Sequence, residues 1–236
     1  KINSISFSKD SEMRSIGSRA FCYSTIRILY IPSKIEALED GWCSCTKSLI
    51  HVYLSSNNKN YKYLDIEGKI IVGKSNQKCD EFDVLIFASR DVEKVTIQTT
   101  IKQISPHSFE ECCIVRFVFE EESNVESIGS YAFNNCQLKQ IAIPSSVKQL
   151  KDGWLGQRWS PIEVTISPRN KFYKYINNSI IVGKSDLNSD EFDVVVYAPF
   201  EIQKAIIPSS IKYIVSFAFF NCQILEKVEF QSDSNL

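Results

Sequence analysis

Apolar side chains in this chain follow two alternating spacings. In the stretch Val125 to Leu150, Val125, Ile128, Ala132 and Phe133 are placed to fill an interior. Leu138, Ile141 and Ile143 then take the LxxLxL spacing of a short strand, with Lys139, Gln140 and Ala142 turned the other way. One strand and its turn leave both edges open to water, so such a unit requires a copy stacked on each side. Copies begin at Met13, Ile101 and Ile211, each with the same order of Ile, aromatic residue, small residue or Cys, then strand. The chain therefore reads as a repeat array, in which length does not set a domain count.

A longer period lies above the short one. Ile16-Gly17 matches Ile128-Gly129 and Asp40-Gly41-Trp42 matches Asp152-Gly153-Trp154, both at an offset of 112. The IIVGKS phrase at Ile70 recurs at Ile180, and EFDV at Glu81 recurs at Glu191, at an offset of 110. Two residues are lost after Tyr61-Lys62-Tyr63 and its partner Tyr173-Lys174-Tyr175, which predicts a tolerant turn there. The pattern predicts one solenoid over residues 1–236, built of two long repeats spanning about 13–124 and 125–235. Ile5 to Met13 aligns with Val228 to Leu236, so the chain is expected to enter and leave in mid-array, as a piece of a longer one.

Strands are predicted at Arg27 to Ile31, Ile50 to Leu54, Lys94 to Ile97 and Val115 to Phe119, and again at Lys139 to Ile143, Glu163 to Ile166, Lys204 to Ile207 and Lys227 to Phe230. Pro32, Pro144 and Pro208 follow strands directly, where the missing N–H costs no ladder bond. The β-branched runs Ile70 to Val72, Val84 to Phe87, Ile180 to Val182 and Val194 to Tyr197 read as inserted hairpins that decorate the coil.

The phrase Ile128-Gly129, Ala132-Phe133, Cys136, Leu138, Ile141, Ile143-Pro144 and Val147 resembles that of the BspA-like, Treponema-type leucine-rich repeats. Ser24 departs from the family's Cys, and Pro106 and Val215 from its Gly. The resemblance implies a right-handed leucine-rich-repeat solenoid of the α/β repeat class, rich in β, with inserted β-hairpins. It also implies a surface antigen: a cell-surface or secreted adhesive protein with no catalytic residues to carry over. An intracellular scaffold for protein partners is the alternative, with a cytoplasmic location.

Composition narrows the partners. Hydrophobic residues make up 44% of the chain, enough for a packed interior, and a net charge of −1 gives no electrostatic reason to expect nucleic acid or an anionic membrane. No apolar run is long enough to insert into a bilayer. Open-ended coils are expected to associate end to end.

Little of the sequence carries reactive chemistry. Gly68 to Ser75 satisfies GxxxxGKS, yet its centre is Lys69, Ile70, Ile71 and Val72, strand-forming residues where a phosphate loop needs bare backbone, and the second copy has Asn178 for the first Gly. No cofactor is expected. Cys112, Cys136 and Cys222 each follow a Phe by three residues, with Ser24 as the fourth rung of a ladder of small buried groups. Cys43, Cys45, Cys79 and Cys113 have no counterpart in the second repeat, so they read as free thiols, with a local pairing of Cys43 left open. No CxxC pair or His cluster supports a metal site, and His51 and His107 belong to different coils. The repeated Asp80-Glu81 and Asp190-Glu191 pairs read as solvated turns. Trp42 and Trp154, with Trp159 nearby, read as caps of the core.

What remains is surface. Residues between the apolar positions of each LxxLxL strand point onto what the architecture makes a concave sheet. Arg27, Ile28, Tyr30, Ile50, His51, Tyr53 and Arg116 are the candidate ligand-binding residues, for a protein or glycan of unknown identity. The opposing expectation is that the inserts cover this face. Asn177, in Asn177-Asn178-Ser179, is the candidate glycosylation site.

Overall fold

Every predicted LxxLxL stretch forms a strand in the computed structural model, which describes residues 2–8, 10–76, 78, 80–158 and 160–232. The chain coils into a β-solenoid, with no helix among the described residues. Up to the midpoint the strands are β1 (Ser4–Ile5), β2 (Ser15–Ile16), β3 (Ile28–Ile31), β4 (Ala37–Leu38), β5 (His51–Leu54) and β6 (Tyr61–Tyr63), then β7 (Ile70–Gly73), β8 (Val84–Ala88), β9 (Lys94–Ile97), β10 (Gln103–Ile104) and β11 (Arg116–Phe119). After it come β12 (Ser127–Ile128), β13 (Gln140–Ile143), β14 (Gln149–Leu150), β15 (Glu163–Ile166) and β16 (Lys174–Ile176), then β17 (Ile180–Gly183), β18 (Val194–Tyr197), β19 (Lys204–Ile207), β20 (Tyr213–Ile214) and β21 (Lys227–Phe230).

Two parallel sheets wrap the interior. The LxxLxL strands form the first, in the ladders β1-β3-β5, β9-β11, β13-β15 and β19-β21. The two-residue strands that carry the Ile of each repeat phrase form the second, including β2-β4, β8-β10-β12-β14 and β18-β20. Between the sheets, Val125, Ile128, Ala132, Phe133, Leu138 and Ile143 are all fully buried. Phe109 and Phe133 stack 5.3 Å apart at 3°, which shows the repeats in register. Phe21 against Trp42 and Phe133 against Trp154 repeat one edge-on geometry at 6.3 Å, and both Trp side chains are core residues.

The turns after the second sheet are held in an uncommon way. Each repeat phrase places two non-glycine residues in the left-handed region, four positions apart: Arg19 and Tyr23, His107 and Glu111, Tyr131 and Asn135, Phe217 and Asn221. Backbone bonds to the following coil hold five of them, such as Glu111 N to Asn134 O at 2.8 Å and Asn135 N to Gln157 O at 2.8 Å. Gly129 is fixed for another reason: a Cβ there would lie 2.4 Å from the backbone nitrogen of Pro106 in the preceding coil.

The inserts are not decoration. β6, β7 and β8 form an antiparallel meander, as do β16, β17 and β18, and β8 and β18 continue into the second sheet. Ile71 and Phe87 pack into the core of the preceding coils, while Ile70, Val72, Leu85 and Ala88 pack into the core that follows. The meander thus crosses the interior as a wall buried on both faces, the reason its strands are unbroken apolar runs. The same wall recurs at β17, with Ile181 on one side and Ile180 and Val182 on the other.

Tyr61 on β6 and Tyr173, just before β16, finish the ladders that these walls interrupt. Tyr61 Oη accepts from Leu38 N at 2.8 Å and donates to Glu36 O at 3.3 Å, taking the place of a neighbouring strand beside β4. Tyr173 does the same beside β14, with Leu150 N at 2.7 Å and Lys148 O at 3.0 Å. Burial holds the Tyr173 hydroxyl protonated, its pKa pushed up to about 12. The two-residue deletion falls in the following turn: six residues around Asp65 and Gly68 become the tight Ile176–Ile180 turn, with Asn177 and Asn178 both at positive φ as a type I′ hairpin requires.

Candidate binding surface

Four of the predicted surface residues come together on the outward face of β3 and β5. In the parallel register Ile28 lies opposite His51 and Tyr30 opposite Tyr53, so His51, and not Ile50, continues the row. The Tyr30 and Tyr53 rings stack at 4.9 Å and 24°, and His51 stacks on Tyr53 at 5.8 Å and 20°. Tyr30 and Tyr53 remain 44% and 43% exposed. This is a three-ring ridge standing on the sheet. Arg27 is exposed just before β3, whereas Ile28 and Ile50 are half-buried and Ile50 O accepts from Ser89 Oγ at 2.6 Å.

The inserts leave the ridge open. Tyr63 on β6 reaches only the backbone edge of β5, where its hydroxyl accepts from Leu54 N at 2.8 Å and donates to Val52 O at 2.9 Å. That contact closes an edge that would otherwise invite strand pairing, and leaves the aromatic rings in solvent. Arg116 lies apart from the ridge: it is exposed on β11, in a separate ladder, opposite Lys94.

In the second long repeat the same sheet positions make a hollow. A groove of about 860 Å³ runs over β11, β13 and β15, with Ala142 and Thr165 on its floor, Gln140 and Glu163 at one end, and Glu120 to Glu122 and Arg169 at the other. Ala142 and Thr165 face each other in register, as Tyr30 and Tyr53 do 112 positions earlier.

The other candidates take structural places. Ile70 to Gly73 of the GxxxxGKS stretch form the fully buried β7, and Lys74 Nζ lies 5.0 Å over the Phe82 ring and 3.6 Å from Asp80. Asn177 is exposed in its turn, and its Nδ2 donates to Ile206 O at 3.1 Å. Cys112 and Cys136 are buried as the ladder requires, and Cys222 is half-buried. The seven described cysteines are all free; Cys79 and Trp159 lie outside the described residues.

Two clusters were not visible in the sequence. Arg90 is buried, its guanidinium 3.3 Å from Cys43 O, 3.4 Å from Cys43 Sγ and 3.7 Å from Cys112 Sγ. Burial pushes the Cys43 thiol up to about 11 and the Cys112 thiol up to about 12, so the cation packs against neutral thiols, with the Glu110 carboxylate acting on it from nearby. Arg158 is likewise buried, with Cys136 Sγ at 3.7 Å. The second cluster is a polar row across successive coils. Glu110 accepts from Cys45 N at 3.0 Å and Asn134 Nδ2 at 2.6 Å and lies 3.0 Å from His107 Nδ1; Asn134 Oδ1 accepts from Gln157 N at 2.7 Å. Burial alone would raise the Glu110 pKa, but these hydrogen bonds outweigh it and hold the carboxyl below its usual range. The row is hidden in the sequence because its members recur in place but not in type: Cys22, Glu110 and Asn134 each follow the Phe of a repeat phrase. Among the described residues no group of His, Cys, Asp and Glu is arranged to hold a metal ion.

The fold is shared with a solved structure. The chain aligns over 98% of its length with the pneumococcal vaccine antigen PcpA, at 16% identity and a TM-score of 0.56, and covers 56% of that chain. A leucine-rich cell surface protein from Faecalibacterium prausnitzii matches at 17% identity and a TM-score of 0.46, over 92% of this chain and 51% of that one. A leucine-rich repeat protein from Eubacterium ventriosum matches at 18% identity and a TM-score of 0.46, over 88% of this chain and 48% of that one. The chain thus spans about half the length of the solved structures it matches. No characterised protein matches it by sequence. The family model for the BspA type leucine-rich repeat region, in six copies, matches residues 1–65, 81–193 and 194–235. Repeat phrase, two-sheet coil and family match agree, and the chain belongs to the BspA-type leucine-rich repeat family.

Proposed function

We propose that the chain is a non-catalytic recognition module, displayed at a cell surface, that binds a protein or glycan through the outward face of its first sheet. One observation carries this reading: the open ridge of Tyr30, Tyr53 and His51. Exposed aromatic rings on a rigid sheet are the composition of a binding hot spot, because they bring large area at little entropic cost. Tyr53 has a neighbouring ring on each face, so the ridge offers ring edges and hydroxyls outward. That geometry suits a pocketed protein surface better than the flat face of a sugar. Display at a surface is supported by the family and by the vaccine-antigen description of PcpA.

Antibody staining of intact cells, compared with permeabilised ones, tests the placement. Labelling of intact cells is the expected result. Labelling only after permeabilisation would establish instead a scaffold inside the cell, a reading favoured by the seven free thiols. End-to-end association belongs to the same proposal: Phe217, Phe220, Ile224 and Phe230 expose apolar surface on the last described coils.

A further inference from the structure

Cys22 and Cys45 stand on adjacent coils, and the second long repeat shows how closely those two positions approach. Their counterparts 112 residues on are Asn134 and Gln157, where the Asn134 side chain reaches Gln157 N at 2.7 Å. In the first repeat Ser44 Oγ donates to Cys22 Sγ at 3.4 Å, and Cys45 Sγ lies 3.7 Å from Glu110 Oε1. The Tyr23 hydroxyl and the Cys22 thiol are among the neighbours that act on the Cys45 thiol, Tyr23 lowering its pKa and Cys22 raising it. Cys22 and Cys45 are both partly exposed, whereas Cys43 is turned inward against Arg90 and is fully buried, which removes it as a partner for Cys45.

We propose that Cys22 and Cys45 are a reversible disulfide site, closed by exchange with a low-molecular-weight disulfide. One protein thiolate attacks a sulfur of the small disulfide, forming a mixed disulfide and releasing one small thiol. The second protein thiolate then displaces the other small thiol. Two protein thiols and one small disulfide give one protein S–S bond and two small thiols, and two electrons pass to the reagent. The bond links the coil of β3 to the coil of β5 and so ties together the two strands that carry Tyr30 and Tyr53. Burial, and then the Glu110 carboxylate, push the Cys45 thiol up to about 11, so closure is slow near neutral pH and accelerates as pH rises.

The test incubates the native chain with oxidised glutathione, blocks remaining thiols after unfolding, and digests with trypsin without reduction. Arg27 and Lys34 lie between the two cysteines, so trypsin separates them. The expected product is the peptide of Cys22 joined to the Ile35 to Lys47 peptide, which also carries Cys43 in blocked form; its mass is two hydrogens below the sum of the two, fragment ions place the bond at Cys45, and the free-thiol count falls by two. Cys113→Ser should keep the cross-link, and either Cys22→Ser or Cys45→Ser should abolish it. Glutathione adducts without a cross-link, a bridge between other cysteines, or an unchanged thiol count would overturn the proposal.

Discussion

The β3-β5 ladder and the β13-β15 ladder are the same structure with different faces. Inward residues barely change over 112 positions: Leu29, Ile31, Val52 and Leu54 become Ile141, Ile143, Val164 and Ile166. Outward residues change completely: Ile28, Tyr30, His51 and Tyr53 become Gln140, Ala142, Glu163 and Thr165. One face is an aromatic ridge and the other a groove with an acidic rim. The coil tolerates this because outward side chains contribute little to the core, so recognition can vary without cost to the fold.

The largest test of the comparison lies in the backbone. A Cβ at Gly129 would run into the backbone of Pro106 in the preceding coil. Gly129→Ala should cost about 3 kcal/mol, since backbone must move. Urea unfolding of the variant checks this, and an unchanged midpoint would mean that the repeats are not in the register described.

Next comes the ridge. Tyr30→Ala with Tyr53→Ala should weaken ligand binding by roughly 10- to 100-fold while leaving the unfolding midpoint almost unchanged. The reciprocal pair, Ala142→Tyr with Thr165→Tyr, should fill the groove and give β13-β15 the shape of β3-β5. Two-site binding in that variant, measured by calorimetry, would sharpen the comparison.

Much of this was legible beforehand, and the reason is periodicity. All eight predicted LxxLxL strands formed, because apolar spacing reports directly on burial. The walls were misjudged because Ile70 to Val72 is short and apolar throughout, and such a run does not reveal whether one face or two are buried. Strands β6 and β16 were missed for a related reason: Tyr61 and Tyr173 act through a single hydroxyl on a distant backbone, which leaves no periodic trace. The ridge residues lie among the candidates read from the sequence, but their pairing depended on register, which sets His51 opposite Ile28 and Tyr53 opposite Tyr30.

The ladder ends predict a smaller effect that is equal in the two repeats. Tyr61→Phe and Tyr173→Phe each leave a buried backbone N–H and C=O without a partner and should each cost about 1 to 2 kcal/mol. A marked difference between them would show that one wall is not the equivalent of the other. The smallest effect concerns pH. Glu110 has its carboxyl held below the unfolded value of 4.5, so its stabilisation is present above that pH and lost as pH falls through the lower folded value. Asn134, at the matching place in the next repeat phrase, does not titrate. Glu110→Gln should therefore flatten the acid limb of the stability curve, and an unchanged limb would assign the acid sensitivity elsewhere.

The most direct test of the central claim is binding of the labelled chain to printed arrays of extracellular proteins and of glycans, with the Tyr30→Ala, Tyr53→Ala variant run alongside. The account predicts signal on protein spots that falls at least tenfold in the variant. Equal signal from both chains, or no spot above background, would contradict it.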